Sequence, residues 1–130
     1  MRYFSNLYFD KKWNDKWRTI AGFDYGLQTL EESKTASWLS PTFLAQYSIN
    51  SKWQTAFRIE YYQDEKNVII ATSDAFKTIG TSFNFDYLLN SKVKFRTEAR
   101  YLANENKTFI KSGNPTNSDF FLTTSLSFEF

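Results

Sequence analysis

Residues 92–103 read Lys-Val-Lys-Phe-Arg-Thr-Glu-Ala-Arg-Tyr-Leu-Ala. Every odd position is uncharged, and every even position through Arg100 is charged. A period of two held this long is a β-strand with two chemically different faces. The same alternation runs along most of the chain and predicts seven strands, over residues 2–9, 16–28, 41–49, 53–64, 76–89, 92–103 and 120–130. No window combines apolar residues at helical spacing with caps, so no helix is expected. Most strands run well past the ~5–6 residues usual in globular proteins. The connections alternate between short polar turns (10–15, 50–52, 90–91) and long Ser-, Thr-, Asn- and Lys-rich segments (29–40, 65–75, 104–119). Gly113, Asn114 and Pro115 act as turn formers in the last of these.

A repeat underlies the alternation. Lys16-Trp17-Arg18-Thr19-Ile20-Ala21-Gly22-Phe23-Asp24-Tyr25 aligns with the segment from Lys52 to Tyr61, and more weakly with the segment from Lys92 to Tyr101. Each copy begins after a short turn, which makes the architecture an antiparallel up-and-down meander.

On strands two to seven, the face that starts at Trp17, Thr19, Ala21, Phe23, Tyr25 and Leu27 is read as uncharged. The opposite face collects Arg18, Asp24, Arg58, Glu60, Asp64, Asp86, Lys92, Lys94, Arg96, Glu98, Arg100 and Glu129. A soluble ligand-binding barrel would point the apolar face inward; a transmembrane barrel points it at lipid. Four features favour lipid. The strands meet the ~9–11 residues needed for a tilted crossing. Trp17 and Tyr25, like Trp53 and Tyr61, stand eight residues apart, which at ~3.3 Å per residue is roughly the height of an apolar band edged by aromatic girdles. Tyr87, Tyr101 and Phe128 join those girdles. Short turns alternate with long loops, as at the two ends of such barrels. Finally, so many rings are too bulky for the layered interior of a small barrel.

Composition narrows the picture further. The chain has 130 residues, enough for one domain. Aromatics make up 20% of it, yet the mean hydropathy is −0.53. The longest apolar run, Val68 to Ala71, is four residues, far below the ~18 of a membrane helix. There is no Cys and no His, which removes thiolate metal sites and the commonest general base. A net charge of +2 is too balanced to indicate nucleic acid. Rings and cations lie on opposite faces of strand 92–103, so bases could not stack where phosphates are neutralised.

Candidate chemistry is thin. Glu60 with Asp64, or Glu31 with Glu32, could be paired carboxylates, and Asp64, Glu65, Asn67 and Asp74 could offer an all-oxygen calcium site. Neither has a supporting signature, and the expectation is no enzyme, no metal and no cofactor. Gly22, Gly26 and Gly80 fall on the polar face, as space-savers. The twelve charges divide six and six. They either form a basic ladder facing acids across a constriction, or pair along neighbouring strands and stiffen the wall.

The C-terminal segment Phe120-Phe121-Leu122-Thr123-Thr124-Ser125-Leu126-Ser127-Phe128-Glu129-Phe130 resembles the terminal strand of bacterial outer-membrane proteins. The turns at Phe9-Asp10-Lys11-Lys12-Trp13-Asn14-Asp15-Lys16-Trp17 and Tyr47-Ser48-Ile49-Asn50-Ser51-Lys52-Trp53 resemble those of the OmpL-like β-barrel porins of Bacteroidota. The resemblance implies an outer-membrane diffusion channel for small polar solutes. It implies long loops on the extracellular side, an outward face in outer-membrane lipid, and a terminal strand (Leu122, Leu126, Phe128, Phe130) read by the barrel-assembly machinery. Single-chain bacterial barrels have even strand numbers, whereas seven strands are expected here and Met1-Arg2-Tyr3 opens no secretory signal. The expectation is therefore a single segment, 1–130, forming the C-terminal part of a larger barrel, with homo-oligomerisation as another way to close the sheet. The alternatives are a soluble lipid-binding barrel and an outer-membrane barrel with a plugged interior and a structural or adhesive role.

Overall fold

A computed structural model of the chain describes residues 1–30, 34–72 and 74–130. Nine strands follow in order: β1 (Arg2–Lys12), β2 (Trp17–Thr29), β3 (Thr35–Ser48), β4 (Trp53–Asp64), β5 (Phe76–Asn90), β6 (Val93–Asn104), β7 (Phe109–Lys111), β8 (Asn114–Thr116) and β9 (Ser118–Phe128). Seven form one sheet in the order β1-β2-β3-β4-β5-β6-β9, with every neighbouring pair antiparallel. No helix occurs among the described residues. The sheet is the expected meander, but it does not close: β1 and β9 are its two edges.

The three short turns are one device used three times. In each, an Asn side chain accepts from backbone N–H groups just ahead of it: Asn14 from Lys16 and Trp17, Asn50 from Lys52 and Trp53, Asn90 from Lys92. The Lys carbonyl in each then accepts from the next strand over, from Ser48, Leu88 and Glu129, all at 2.8 Å. An Asn side chain that closes its own turn fixes the turn without outside help, which accounts for the Asn-x-Lys wording in the sequence repeat.

Several boundaries differ from the sequence expectation: β1 runs on to Lys12 past the expected end at residue 9, and β9 spans Ser118–Phe128 rather than 120–130. β3 begins at Thr35, so the connection expected at 29–40 shrinks to residues 30–34. Ser37 and Ser40 read as a loop in the sequence and Pro41 as the first residue of its strand, but β2 pairs with all three: Leu27 with Ser37, Asp24 with Ser40 and Phe23 with Pro41. The missing N–H of Pro41 is accommodated on the other side, where the β3–β4 ladder steps from Leu39↔Gln63 to Thr42↔Glu60. The segment 104–119 holds the β7–β8 hairpin, whose turn residues Ser112 and Gly113 have φ of 50° and 81°. Positive φ at both central positions suits the right-handed twist of a two-residue hairpin.

Burial is inverted relative to a soluble domain. Among the described residues the buried apolar side chains are Ala36, Trp38 and Ala56, whereas Asp64, Thr78, Ser82, Asn84, Asp86 and Asn104 are buried polar ones. By register all nine share one face. On the opposite face Phe57 and Phe83 are 43% and 53% exposed, and Phe23, Phe43, Ile59 and Ile79 are similarly open. An apolar sheet face normally packs on a second layer; here no described element covers it.

Candidate functional site

The polar face is the inside of a curl centred on β5. Along its middle the inward residues are Thr78, Gly80, Ser82, Asn84 and Asp86, all short, so side chains from β4 and β6 meet above them. Arg100 on β6 hydrogen-bonds Glu60 on β4 directly over Gly80. A Cβ at Gly80 would lie 2.7 Å from Glu60 Oε1 and 3.1 Å from Leu102 Cδ2, so glycine makes the room for this crossing.

Around that pair the charges form a chain. Arg58 reaches Glu60 at 3.7 Å and Glu98 at 3.3 Å. Towards the turn end, Arg96 binds Asp86 through two bonds of 2.7 Å, Lys94 lies 4.0 Å from the same carboxylate, and Asn84 donates to it at 2.8 Å. On β2, Arg18 takes Asp10 of β1 in a two-point contact of 2.9 and 2.5 Å, and Asp24 accepts from Asn6. Arg18, Arg58, Lys94, Arg96 and Arg100 thus each find an acid one or two strands away. Asp10 and Asn6 were missed by sequence reasoning because β1 carries the rings Phe4 and Tyr8 on its inner face, opposite Gly26 and Gly22, which blurs its alternation.

Three of the expected wall residues, and Phe130 of the expected terminal strand, sit elsewhere or do something else. Lys92 is exposed in the last short turn, because β6 starts at Val93. Glu129 and Phe130 lie past the end of β9, whose last ladder pair is Val93↔Phe128. Phe130 is therefore outside the strand, while Leu122, Leu126 and Phe128 project from the outer face. Asp64 is fully buried, and its carboxylate accepts the backbone N–H groups of Val68, Ile69 and Ile70 at 3.0, 2.7 and 3.1 Å. It folds residues 65–72 inward, so that Ile70 lines a hollow of about 260 Å³ on the inner face with Glu60, Tyr62, Thr78 and Arg100.

That use of Asp64 also removes it as a cation ligand. Glu65 is drawn to Lys77 at 3.0 Å and Asn67 to the Thr72 carbonyl at 2.9 Å. Among the described residues no three acidic side chains gather to hold a metal. Glu31 and Glu32 lie outside the described residues. In the 13–16 turn, the hydrogen bond from Lys12 holds the Asp15 carboxyl below the usual carboxylate range.

The rings form bands on the outer face. Trp17 stacks on Tyr47 at 4.7 Å, and Trp53 on Phe85 and Tyr87 at 4.9 and 4.5 Å, all near the short turns. Tyr25, Tyr61 and Tyr101 sit eight residues further along their strands, with Tyr101 opposite Phe120. Phe23, Phe43, Phe57, Phe83 and Leu122 fill the band between. The face is not wholly uncharged: Lys11 and Lys77 share it, each near a strand end. Lys77 there bridges Glu65 and Glu105 of the two long loops.

A single curled layer of long antiparallel strands, polar and ion-paired inside and ringed with aromatics outside, is a segment of transmembrane β-barrel wall. Over residues 1–130 the chain matches the family described as Putative beta-barrel porin-2, OmpL-like. The chain belongs to this family of outer-membrane β-barrel porins. No curated protein and no solved structure matches it.

Proposed function

We propose that the chain forms part of the wall of an outer-membrane channel through which small polar solutes diffuse passively. The observation that carries this reading is the inversion of burial: charged and amide side chains are sequestered on the inner face while Phe, Trp and Tyr stand exposed on the outer one. In this reading Arg18, Asp24, Arg58, Glu60, Asp86, Lys94, Arg96, Glu98 and Arg100 line the lumen. Their pairing supplies a hydrated wall of nearly zero net charge and hence weak selectivity between anions and cations. Outer-membrane lipid contacts the aromatic face, and β9 is the strand offered to the assembly machinery.

Closure of the barrel needs strands beyond these seven. β1 and β9 both run from the long-loop end to the short-turn end, so joining them directly would make a parallel pair. An antiparallel wall closes only with an odd number of additional strands between them. Without these, two rows of unpaired backbone groups would face hydrocarbon, which is prohibitive.

Because the chain has no Cys, single cysteines test the assignment cleanly. In protein reconstituted in phospholipid vesicles, a charged, membrane-impermeant maleimide should label Gln54→Cys on the inner face and spare Phe57→Cys on the outer one. Vesicle swelling should show uptake of small sugars. Labelling in the reverse order would instead support the soluble lipid-binding barrel, and absence of swelling with labelling intact would indicate a plugged interior.

A further inference from the structure

The hollow beneath the inward loop has an unusual electrostatic character. Four buried side-chain polar atoms lack a hydrogen-bond partner among the described residues: Tyr62 Oη, Thr78 Oγ1, Arg100 Nε and Asn104 Nδ2. They are neighbours. Tyr62 pairs with Thr78 across β4–β5, and Thr78 with Asn104 across β5–β6, so three of them form one cross-strand row. Arg100 lies on the same face of β6, and Tyr62, Thr78 and Arg100 all line the hollow. Thr78 and Asn104 are each only 5% exposed. Unpaired buried polar groups are rare in folded proteins, and each costs ~1–3 kcal/mol. Three of them lining one hollow, with the fourth beside Thr78 in the ladder, point to a ligand that pairs them.

We propose that this hollow is a binding subsite for a neutral, hydroxyl-bearing solute of about monosaccharide size. The inference rests on the channel reading above and names the class of solute the channel retains in passing. Its charge follows from the neighbours. Both Glu60 oxygens are taken, by Arg100 and Arg58, and both Asp64 oxygens accept backbone N–H groups. A cation would therefore find no free carboxylate. Arg100 and Arg58 are in turn neutralised by Glu60 and Glu98, and the adjacent Asp64 repels an anion. What remains on offer in the hollow is the Nε–H donor of Arg100 and two hydroxyls that donate or accept, from Tyr62 and Thr78, with the Asn104 amide across the ladder from Thr78. A polyol matches that set, since each of its hydroxyls can both give and receive.

The remaining walls are apolar: Ile70 and Leu102, with Tyr62 and Phe76 packed edge to face at 5.9 Å. Such surfaces suit the C–H faces of a sugar ring. The four polar atoms are already shielded from water, so the solute meets groups whose desolvation is complete before it arrives, with Ile70 of the Asp64-held loop as the side chain that gives way.

The test is saturation-transfer NMR on the full chain in detergent micelles, titrated with three probes of one size: glucose, gluconate and glucosamine. Saturable binding of glucose, stronger than of either charged analogue, is the expected result. Thr78→Val and Tyr62→Phe should each weaken glucose binding about tenfold, the worth of one hydrogen bond. If these variants fail to fold, the ranking of the three probes on the unaltered chain decides alone. No saturable glucose signal, or tighter binding of gluconate or glucosamine, overturns the proposal. Ion conductance in planar bilayers, measured on the barrel closed by its further strands, separates the two readings. Glucose binding without conductance upholds the subsite and removes the channel, whereas conductance without glucose binding removes the subsite only.

Discussion

Gly22 and Gly26 stand four residues apart on the inner face of β2, and a methyl group added at each should have opposite consequences. At Gly22 a Cβ would meet nothing within 4 Å. At Gly26 it would fall within the indole of Trp38, which lies directly across from it in the β2–β3 ladder and is 6% exposed. The ring is also held from its other side by Arg2, whose guanidinium sits 5.5 Å from the ring centre. Gly26→Ala must therefore shift Trp38 or push the strands apart. Overpacking of this kind costs ~1–3 kcal/mol. Gly22→Ala should instead stabilise by ~0.5–1 kcal/mol, because a strand glycine loses more backbone entropy on folding than alanine. The two variants should thus differ by roughly 2–3 kcal/mol, which at a urea dependence of ~1–3 kcal/mol per molar separates their midpoints by about 1 M. The assay is urea unfolding in phospholipid vesicles followed by far-ultraviolet circular dichroism. Adding Trp38→Leu to Gly26→Ala should recover most of the loss relative to Trp38→Leu alone. Equal midpoints for the two glycine variants, or an unchanged penalty in the Trp38→Leu background, would refute the steric account.

Other outcomes follow from the same geometry. Asp64→Ala leaves three backbone N–H groups without their acceptor, so hydrogen exchange at Val68, Ile69 and Ile70 should accelerate by at least tenfold, with rates elsewhere in the sheet little changed. Asn50→Ala should cost about 1 kcal/mol in urea unfolding through the lost turn closure, while Asn50→Asp, which keeps the acceptor, should cost much less. Removing Arg96 by Arg96→Leu strands a nearly buried Asp86 carboxylate and should destabilise by roughly 1–3 kcal/mol. Asp86→Asn in the same chain should restore part of that, and additive losses in the double variant would show that the two side chains do not interact.

Much of this protein is legible in its sequence because a sheet with two different solvents writes its period directly into the chain. The alternation of residues 92–103 and the Trp-to-Tyr spacing of the repeat both encode strand, face and length locally. The Asn-x-Lys turns encode the meander in the same way. The open edges follow from the odd strand count alone, since an antiparallel ribbon of seven cannot pair its first strand with its last.

Partnership, by contrast, depends on curvature, which no linear pattern contains. Arg100 reaches Glu60 two strands away only because Gly80 and Ser82 keep the floor of β5 low, and Asp10 is tied to Arg18 only through the β1–β2 register. Ser37 and Ser40 are strand residues only because β2 pairs with them. Asp64 reads as one more inner-face charge, yet the backbone of the following loop claims it, because three N–H groups at hydrogen-bonding distance outbid water in a buried site. The row of Tyr62, Thr78 and Asn104 is drawn from three strands far apart in sequence. Each is an ordinary polar residue by itself, and only the register of the sheet brings their unpaired atoms into one row.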